Sequence, residues 1–105
     1  MSPNIAFDLA ARALQQTSPD PNAFTLAVEA WSEVHDGTIV TGLSEPTEVS
    51  PGVLRFEVEM HALLESPDSH AYRVGRVVET ANATHTVIVC AGSASIEVAV
   101  KTLPA

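Results

Sequence analysis

One segment of the sequence carries acidic and imidazole side chains at alternating positions, a spacing that could hold a metal ion. Glu57, Glu59 and His61 share one face of a predicted strand, because successive side chains point to opposite faces of a sheet. Nothing in the spacing supplies the further ligands that a divalent metal needs, since His-x-His, His-Glu-x-x-His and paired cysteines are all missing from the sequence. We interpret these residues as a solvated polar face and predict no metal or other cofactor.

The sequence also lacks a matched set of residues for nucleophilic or acid–base catalysis. Cys90 is the only cysteine, and its apolar neighbours predict a buried strand in which the thiol acts as a small hydrophobic group. His85 lies five residues earlier and so falls on the opposite face of that strand. Glu57 and Glu59 are predicted to be exposed, whereas acid–base catalysis needs one carboxyl group withdrawn from water. We therefore predict that the protein is not an enzyme.

Two arginines suggest that the chain binds a partner instead. Arg73 and Arg76 are three residues apart, and on a predicted helix they would form one basic spot. The Glu57 and Glu59 face of a second copy would suit that spot, and a surface ion pair with a nearby carboxylate is the alternative. The predicted partner-binding residues are therefore Arg55, Glu57, Glu59, His61, Arg73 and Arg76.

The charge balance argues against two classes of partner. The chain has 13 Asp and Glu against five Lys and Arg, a formal net charge of −8. Nucleic acid and anionic membranes are both bound through basic residues, so we expect neither as a partner. The sequence has no export signal and no apolar stretch long enough to span a membrane. Its single cysteine suits a reducing compartment, so a soluble, unsecreted protein is expected.

Three stretches are predicted to be helices, since each begins with a small polar residue before proline, a pair that suits a first helical turn. The three pairs are Ser2-Pro3, Asp20-Pro21 and Ser66-Pro67. Apolar residues recur at steps of three and four after each pair. The first helix is predicted to run to about Gln16, the second to end at Gly37 and the third to end near Ala81. A pair of strands turning near Asn82 is the alternative to the third helix.

Four strands are predicted where β-branched residues become frequent and the apolar period falls to two. They cover residues 38–43, 54–62, 84–91 and 94–103, and the last two are joined as a hairpin across Gly92-Ser93. The predicted fold class is α+β, a single domain over residues 1–105. Its N-terminal helices and one mid-chain helix are expected to pack on a mostly antiparallel four-stranded sheet.

The order of these predicted elements is the feature that suggests a family. An alternating strand over residues 53–60 precedes Ser66-Pro67-Asp68-Ser69-His70, which opens a helix ending Val77-Val78-Glu79-Thr80, and a strand pair follows. This pattern, over about residues 37–103, resembles tail-terminator and related head-to-tail joining proteins of long-tailed bacteriophages. The resemblance implies a non-catalytic ring of identical subunits that joins the tail tube to the neck, in a virion assembled in the bacterial cytoplasm.

A second hypothesis from another functional class stays open at this point. A small-molecule-binding domain or small enzyme would have a pocket at a subunit boundary, lined by Glu57, Glu59, His61 or His35. Such a pocket would withdraw at least one of these groups from water. An acidic inhibitor that mimics nucleic acid is a third hypothesis, although the acidic residues are spread along the chain.

Overall fold

The structure, a computed structural model, describes residues 7–17, 23–63 and 68–103, and the described chain is built of β-strands. The strands are β1 (Phe7–Thr17), β2 (Phe24–His35), β3 (Thr38–Leu43), β4 (Thr47–Ser50), β5 (Val53–Ala62), β6 (Ser69–Thr80), β7 (Thr86–Ala91) and β8 (Ala94–Thr102). No helix occurs in these three ranges, so the predicted α+β fold class is wrong.

All eight strands belong to one mixed sheet that curls until its two ends meet. The strand order is β3-β5-β7-β8-β1-β2-β6, with β4 paired to β5 beside this path. The β5–β7 and β1–β8 pairs are parallel and the others are antiparallel. The end strands β3 and β6 lie side by side without a backbone ladder between them, so the sheet is a nearly closed barrel. The predicted number of four strands is therefore wrong, whereas five of the seven strand pairs among the described residues are antiparallel, as predicted.

The inner face of the curled sheet holds one hydrophobic core. Alternate residues of each strand point inwards, which is how a sheet with one buried face is patterned. The β2 side chains Leu26, Val28 and Val34 meet Phe56 of β5 and Val89 of β7, and all five are fully buried or nearly so. The outer side chains of β2 and β5 consequently face away from the core.

The strands predicted from period-two alternation are confirmed. Residues 38–43 form β3, and the last two predicted strands form the β7–β8 hairpin, whose ladder ends at the Ala91–Ala94 pair. In β5 the predicted division of faces also holds. Leu54, Phe56 and Val58 are buried, and the charged residues between them are exposed. Charged side chains alternating with large apolar ones leave only one orientation for such a strand.

The first two predicted helices are wrong, because the residues assigned to them form β1 and β2, which pair along almost their full length. Every second residue of β2 from Leu26 to Val34 is buried: Leu26, Val28, Ala30, Ser32 and Val34. Because Ser32 is polar, the apolar residues in the sequence do not show this period of two. Alanines fit the apolar face of a helix as well as that of a strand. The spacing of the apolar residues therefore does not distinguish a helix from a strand in these two segments. Long-range pairing overrides the local helical preference of such a sequence.

The third predicted helix is wrong for a related reason. It forms the single strand β6, which pairs with β2 rather than with β7, so the alternative of a strand pair turning near Asn82 is also incorrect. Arg76 faces inwards in β6 while Val77 faces outwards, with 66% of its surface exposed. Because a charged residue faces inwards and an apolar one faces outwards, the apolar residues of this segment do not alternate in the sequence as they would in a simple strand. The pairs Ser2-Pro3, Asp20-Pro21 and Ser66-Pro67 lie outside the described residues.

Gly37 and Gly52 occupy tight turns between strands, where only glycine adopts the backbone conformation without strain. Gly37, predicted to end a helix, lies in the β2–β3 turn with φ of 88°, and Gly52 lies in the β4–β5 turn with φ of 79°. The Gly52 carbonyl accepts hydrogen bonds from the backbone amides of His85 and Thr86 at 2.9 and 3.2 Å. The Gly52 turn therefore ties β5 to the beginning of β7.

Replacing Gly52 with alanine should destabilise the fold. A Cβ at this position would clash with the His85 ring, and the left-handed backbone adds roughly 1–2 kcal/mol for a residue with a side chain. The His85→Ala variant supplies the matched background, because it removes the ring. We expect a smaller loss of unfolding free energy for Gly52→Ala in that background than in the native chain, measured by urea denaturation. Equal losses in the two backgrounds would contradict the predicted clash.

Candidate partner-binding surface

Arg73 and Arg76 do not form the predicted basic spot. Residues three apart on a strand point to opposite faces of the sheet, and β6 therefore separates the two guanidinium groups. Arg73 is exposed on the outer face and stacks over Trp31 at 5.2 Å from the ring centroid. Arg76 is half-buried on the inner side. The prediction is wrong because it assumed a helix.

Arg76 instead bridges the seam between the two end strands of the sheet. Its Nη1 donates a hydrogen bond to the backbone carbonyl of Leu43 in β3 at 3.2 Å. Its Nη2 lies 3.3 Å from the Glu45 carboxylate. A side chain thus takes the place of the missing backbone ladder at this end of the seam. Arg76 therefore joins β6 to the end of β3, and its side chain is 37% exposed.

Arg73 is part of a different cluster, formed with Arg12 around a carboxylate on the outer face of β2. The Glu29 Oε1 atom lies 3.3 Å from Arg12 Nε and 3.8 Å from Arg73 Nη1. The β1–β2 ladder places Arg12 opposite Glu29, and the β2–β6 ladder places Arg73 opposite Trp31. The Glu29 side chain is 29% exposed, while those of Arg12 and Arg73 are 62% and 65% exposed. The sequence analysis missed Arg12 because the pairing depends on strand register.

An apolar row runs beside this charged cluster. Leu14, Ala27 and Val77 are consecutive across β1, β2 and β6, and all three point outwards. Gly75 lies opposite Glu29 and leaves an open groove of about 290 Å³ between the row and the cluster. We call the outer surface formed by Arg12, Leu14, Glu29, Trp31, Arg73 and Val77 the arginine face.

A second, larger groove adjoins the Trp31 end of the arginine face. It has a volume of about 520 Å³ and is lined by Trp31, Tyr72 and Arg73 together with Asp8 and Glu33. Burial raises the pKa of Tyr72 above its ordinary value, and the neighbouring Ser32 hydroxyl opposes part of that rise. The groove therefore combines aromatic surface, one cation and two nearby carboxylates.

The other predicted partner-binding residues share one exposed surface, as the sequence indicated. Arg55, Glu57, Glu59 and His61 all point outwards from β5 and are exposed. We call these four side chains the β5 face. A weak ion pair of 4.0 Å joins Arg55 to Glu57, whose side chain is 62% exposed. This face is therefore freely accessible to a partner.

Two neighbours extend the surface around the β5 face. Ile39 of β3 lies opposite His61 and is 48% exposed, so it adds an apolar side chain at one end. Cys90 of β7 lies opposite Glu57 and is half-buried on the same outer side of the sheet. The prediction that Cys90 is buried is therefore wrong, since its strand buries Val87, Val89 and Ala91 instead.

The arginine face and the β5 face are formed by different strands of the barrel. Around the sheet, β2 is separated from β5 by β7, β8 and β1 in one direction and by β6 and β3 in the other. Inner side chains of both strands enter the same core, so their outer side chains face solvent. One molecule therefore presents two separate faces, with β3 lying between β6 and β5 on one side of the barrel.

A metal centre and a membrane-spanning helix are both absent from the described residues. Within the three described ranges no group of three or more His, Cys, Asp or Glu side chains is arranged to hold a metal ion. The same ranges contain no helix long and apolar enough to cross a membrane. No family model, curated protein or solved structure matches the chain.

Proposed function

We propose that this protein is a non-enzymatic structural subunit that assembles with copies of itself. The observation that carries the proposal is the arginine face. Val77 is 66% exposed there, and Leu14 and Ala27 continue the apolar row beside the two arginines. Apolar side chains rimmed by charged ones on an outer surface are typical of protein–protein contacts, in which arginine and tryptophan are enriched.

The small-molecule alternative receives no comparable support. It expected Glu57, Glu59 or His61 in a pocket withdrawn from water, whereas all three are exposed on the β5 face. His35 is half-buried at the end of β2, away from those residues in the sheet order. Exposed carboxylates and imidazoles are suited to contacts with a partner surface rather than to acid–base catalysis.

A place in a bacteriophage particle stays a prediction. The resemblance to tail-terminator proteins depended on helices that are strands in the structure, so it now lends the proposal no support. Tail-tube and neck proteins as partners, and a virion location, depended on the same resemblance. Detection of the protein in purified virions would test that prediction separately from self-assembly.

Replacing Val77 with aspartate should lower the mass of the protein in solution. The change puts an additional negative charge into the apolar row, and burying an unpaired charge in a contact is strongly unfavourable. Val49→Asp is the matched control, because Val49 is 46% exposed but lies on β4, outside the arginine face. Light scattering after size-exclusion chromatography measures the mass, and thermal unfolding verifies that both variants fold.

The proposal expects an oligomer for the native chain and for Val49→Asp, and a smaller species for Val77→Asp at the same concentration. A native chain that is monomeric at every concentration would contradict the proposed function. Equal masses for the native chain and both variants would show that the arginine face does not form the contact between copies.

A further inference from the structure

We infer that the arginine face of one copy binds the β5 face of the next, so that copies join head to tail. This inference rests on the proposed function and specifies its contact. The acceptor is a second copy of this chain, recognised by charge and by apolar surface.

Charge complementarity is the first argument. At the centre of the arginine face, two guanidinium groups surround the Glu29 carboxylate, which leaves one positive charge there, while Glu33 and Glu79 lie on the same outer side at the two ends of the face. On the β5 face, Glu57 and Glu59 exceed the single Arg55, which leaves one negative charge. The chain has only five basic residues, and two of them lie on the arginine face of an otherwise acidic molecule. An arginine face therefore meets its complement on β5, whereas two arginine faces would repel each other.

Apolar surface is the second argument. Val77 and Leu14 on the arginine face need an apolar neighbour to be removed from water. Ile39, which is 48% exposed beside His61, offers one at the end of the β5 face. Each surface therefore combines opposite net charge with at least one exposed aliphatic side chain. This combination fits a contact with an apolar centre and a charged rim.

The positions of the two faces determine the kind of assembly. A contact between different surfaces of identical copies leaves one unused surface at each end, and it continues until a ring closes or a filament grows. Because the two faces are formed by different strands and share no residue, a third copy can add without competing for the first contact. A symmetric dimer would instead use one face twice and stop. Head-to-tail joining therefore predicts species larger than dimers.

A charge-swap experiment tests the contact. The first variant, Arg12→Glu with Glu29→Arg and Arg73→Glu, reverses the net charge of the arginine face. The second, Arg55→Glu with Glu57→Arg and Glu59→Arg, reverses that of the β5 face. Each variant keeps its own ion pairs with the signs exchanged, so the fold should be retained, and thermal unfolding verifies this. Mass is measured for each variant alone and for an equimolar mixture.

Each variant alone should lose the large species, because its two faces then carry the same sign. The mixture should regain the mass of the native protein, since each variant supplies the complement that the other lacks. If both variants alone keep the native mass, or if mixing restores nothing, the inference is wrong while self-assembly through another surface stands. If the native chain is itself monomeric, the proposed function fails as well.

Discussion

Replacing Gln15 with leucine should lower the free energy of unfolding by about 2–6 kcal/mol, since two buried backbone groups would lose their hydrogen bonds at about 1–3 kcal/mol each. Gln15 is 2% exposed on the inner face of β1. Its Oε1 accepts a hydrogen bond from the Thr84 amide at 2.7 Å, and its Nε2 donates to the Thr84 carbonyl at 3.2 Å. One amide side chain thus satisfies both backbone groups of a buried residue that precedes β7.

The same side chain also joins the end of β8 to this cluster, because Nε2 lies within 3.2 Å of the Thr102 hydroxyl. Leucine has a similar volume but neither donates nor accepts, so the loss reports on the hydrogen bonds rather than on a cavity. Gln16→Leu is the control, because Gln16 is the exposed neighbour in β1 and should change stability by less than about 0.5 kcal/mol. Urea denaturation measures both. Similar small losses of unfolding free energy in the two variants would contradict a stabilising role for the buried Gln15 hydrogen bonds.

Replacing Phe56 with alanine should lower the free energy of unfolding by about 3–5 kcal/mol, the usual loss for a large aromatic side chain in a core. Phe56 is fully buried at the centre of β5, opposite Val89 of β7. Its removal leaves a cavity between the wall that carries the β5 face and the wall that carries the arginine face. For a domain with a total stability of roughly 5–15 kcal/mol this loss is a large fraction.

Two further variants keep this prediction testable if the alanine variant does not fold. Phe56→Leu retains most of the volume and should lose less stability than Phe56→Ala. Phe24→Ala removes the same side chain from the half-buried beginning of β2 and should also cost less. Thermal and urea unfolding give the order of stability. A loss for Phe24→Ala as large as that for Phe56 would contradict the central place of Phe56 in the core.

The strands with charged residues between large apolar ones could be predicted from the sequence, and the others could not. In β5, Arg55 and Glu57 can only face outwards, so the alternation fixes both the strand and its exposed face. In β2 and β6 the inner positions include Ser32 and Arg76, whose burial depends on partners elsewhere in the chain. A local sequence pattern does not show which distant residues will contact Ser32 and Arg76. The remaining apolar residues have helical spacing, so they predict a helix where the structure has a strand.

Of the two candidate surfaces, one could be predicted from the sequence and the other could not. The β5 face follows from one strand and is present as predicted, with its four side chains exposed together. The arginine face combines residues of three strands, and Arg12 meets Glu29 only through the β1–β2 register. Register is set by long-range pairing, which a single sequence does not show. The error over Arg73 and Arg76 has the same origin, because face assignment reverses between a helix and a strand.

The most direct test of the account is the mass of the native protein in solution, followed by light scattering as the protein is diluted and as salt is added. Head-to-tail joining predicts a mass that is a multiple of 11.1 kDa, exceeds that of a dimer at high concentration, and falls on dilution and with added salt. A constant mass of 11.1 kDa at every concentration and ionic strength would contradict it.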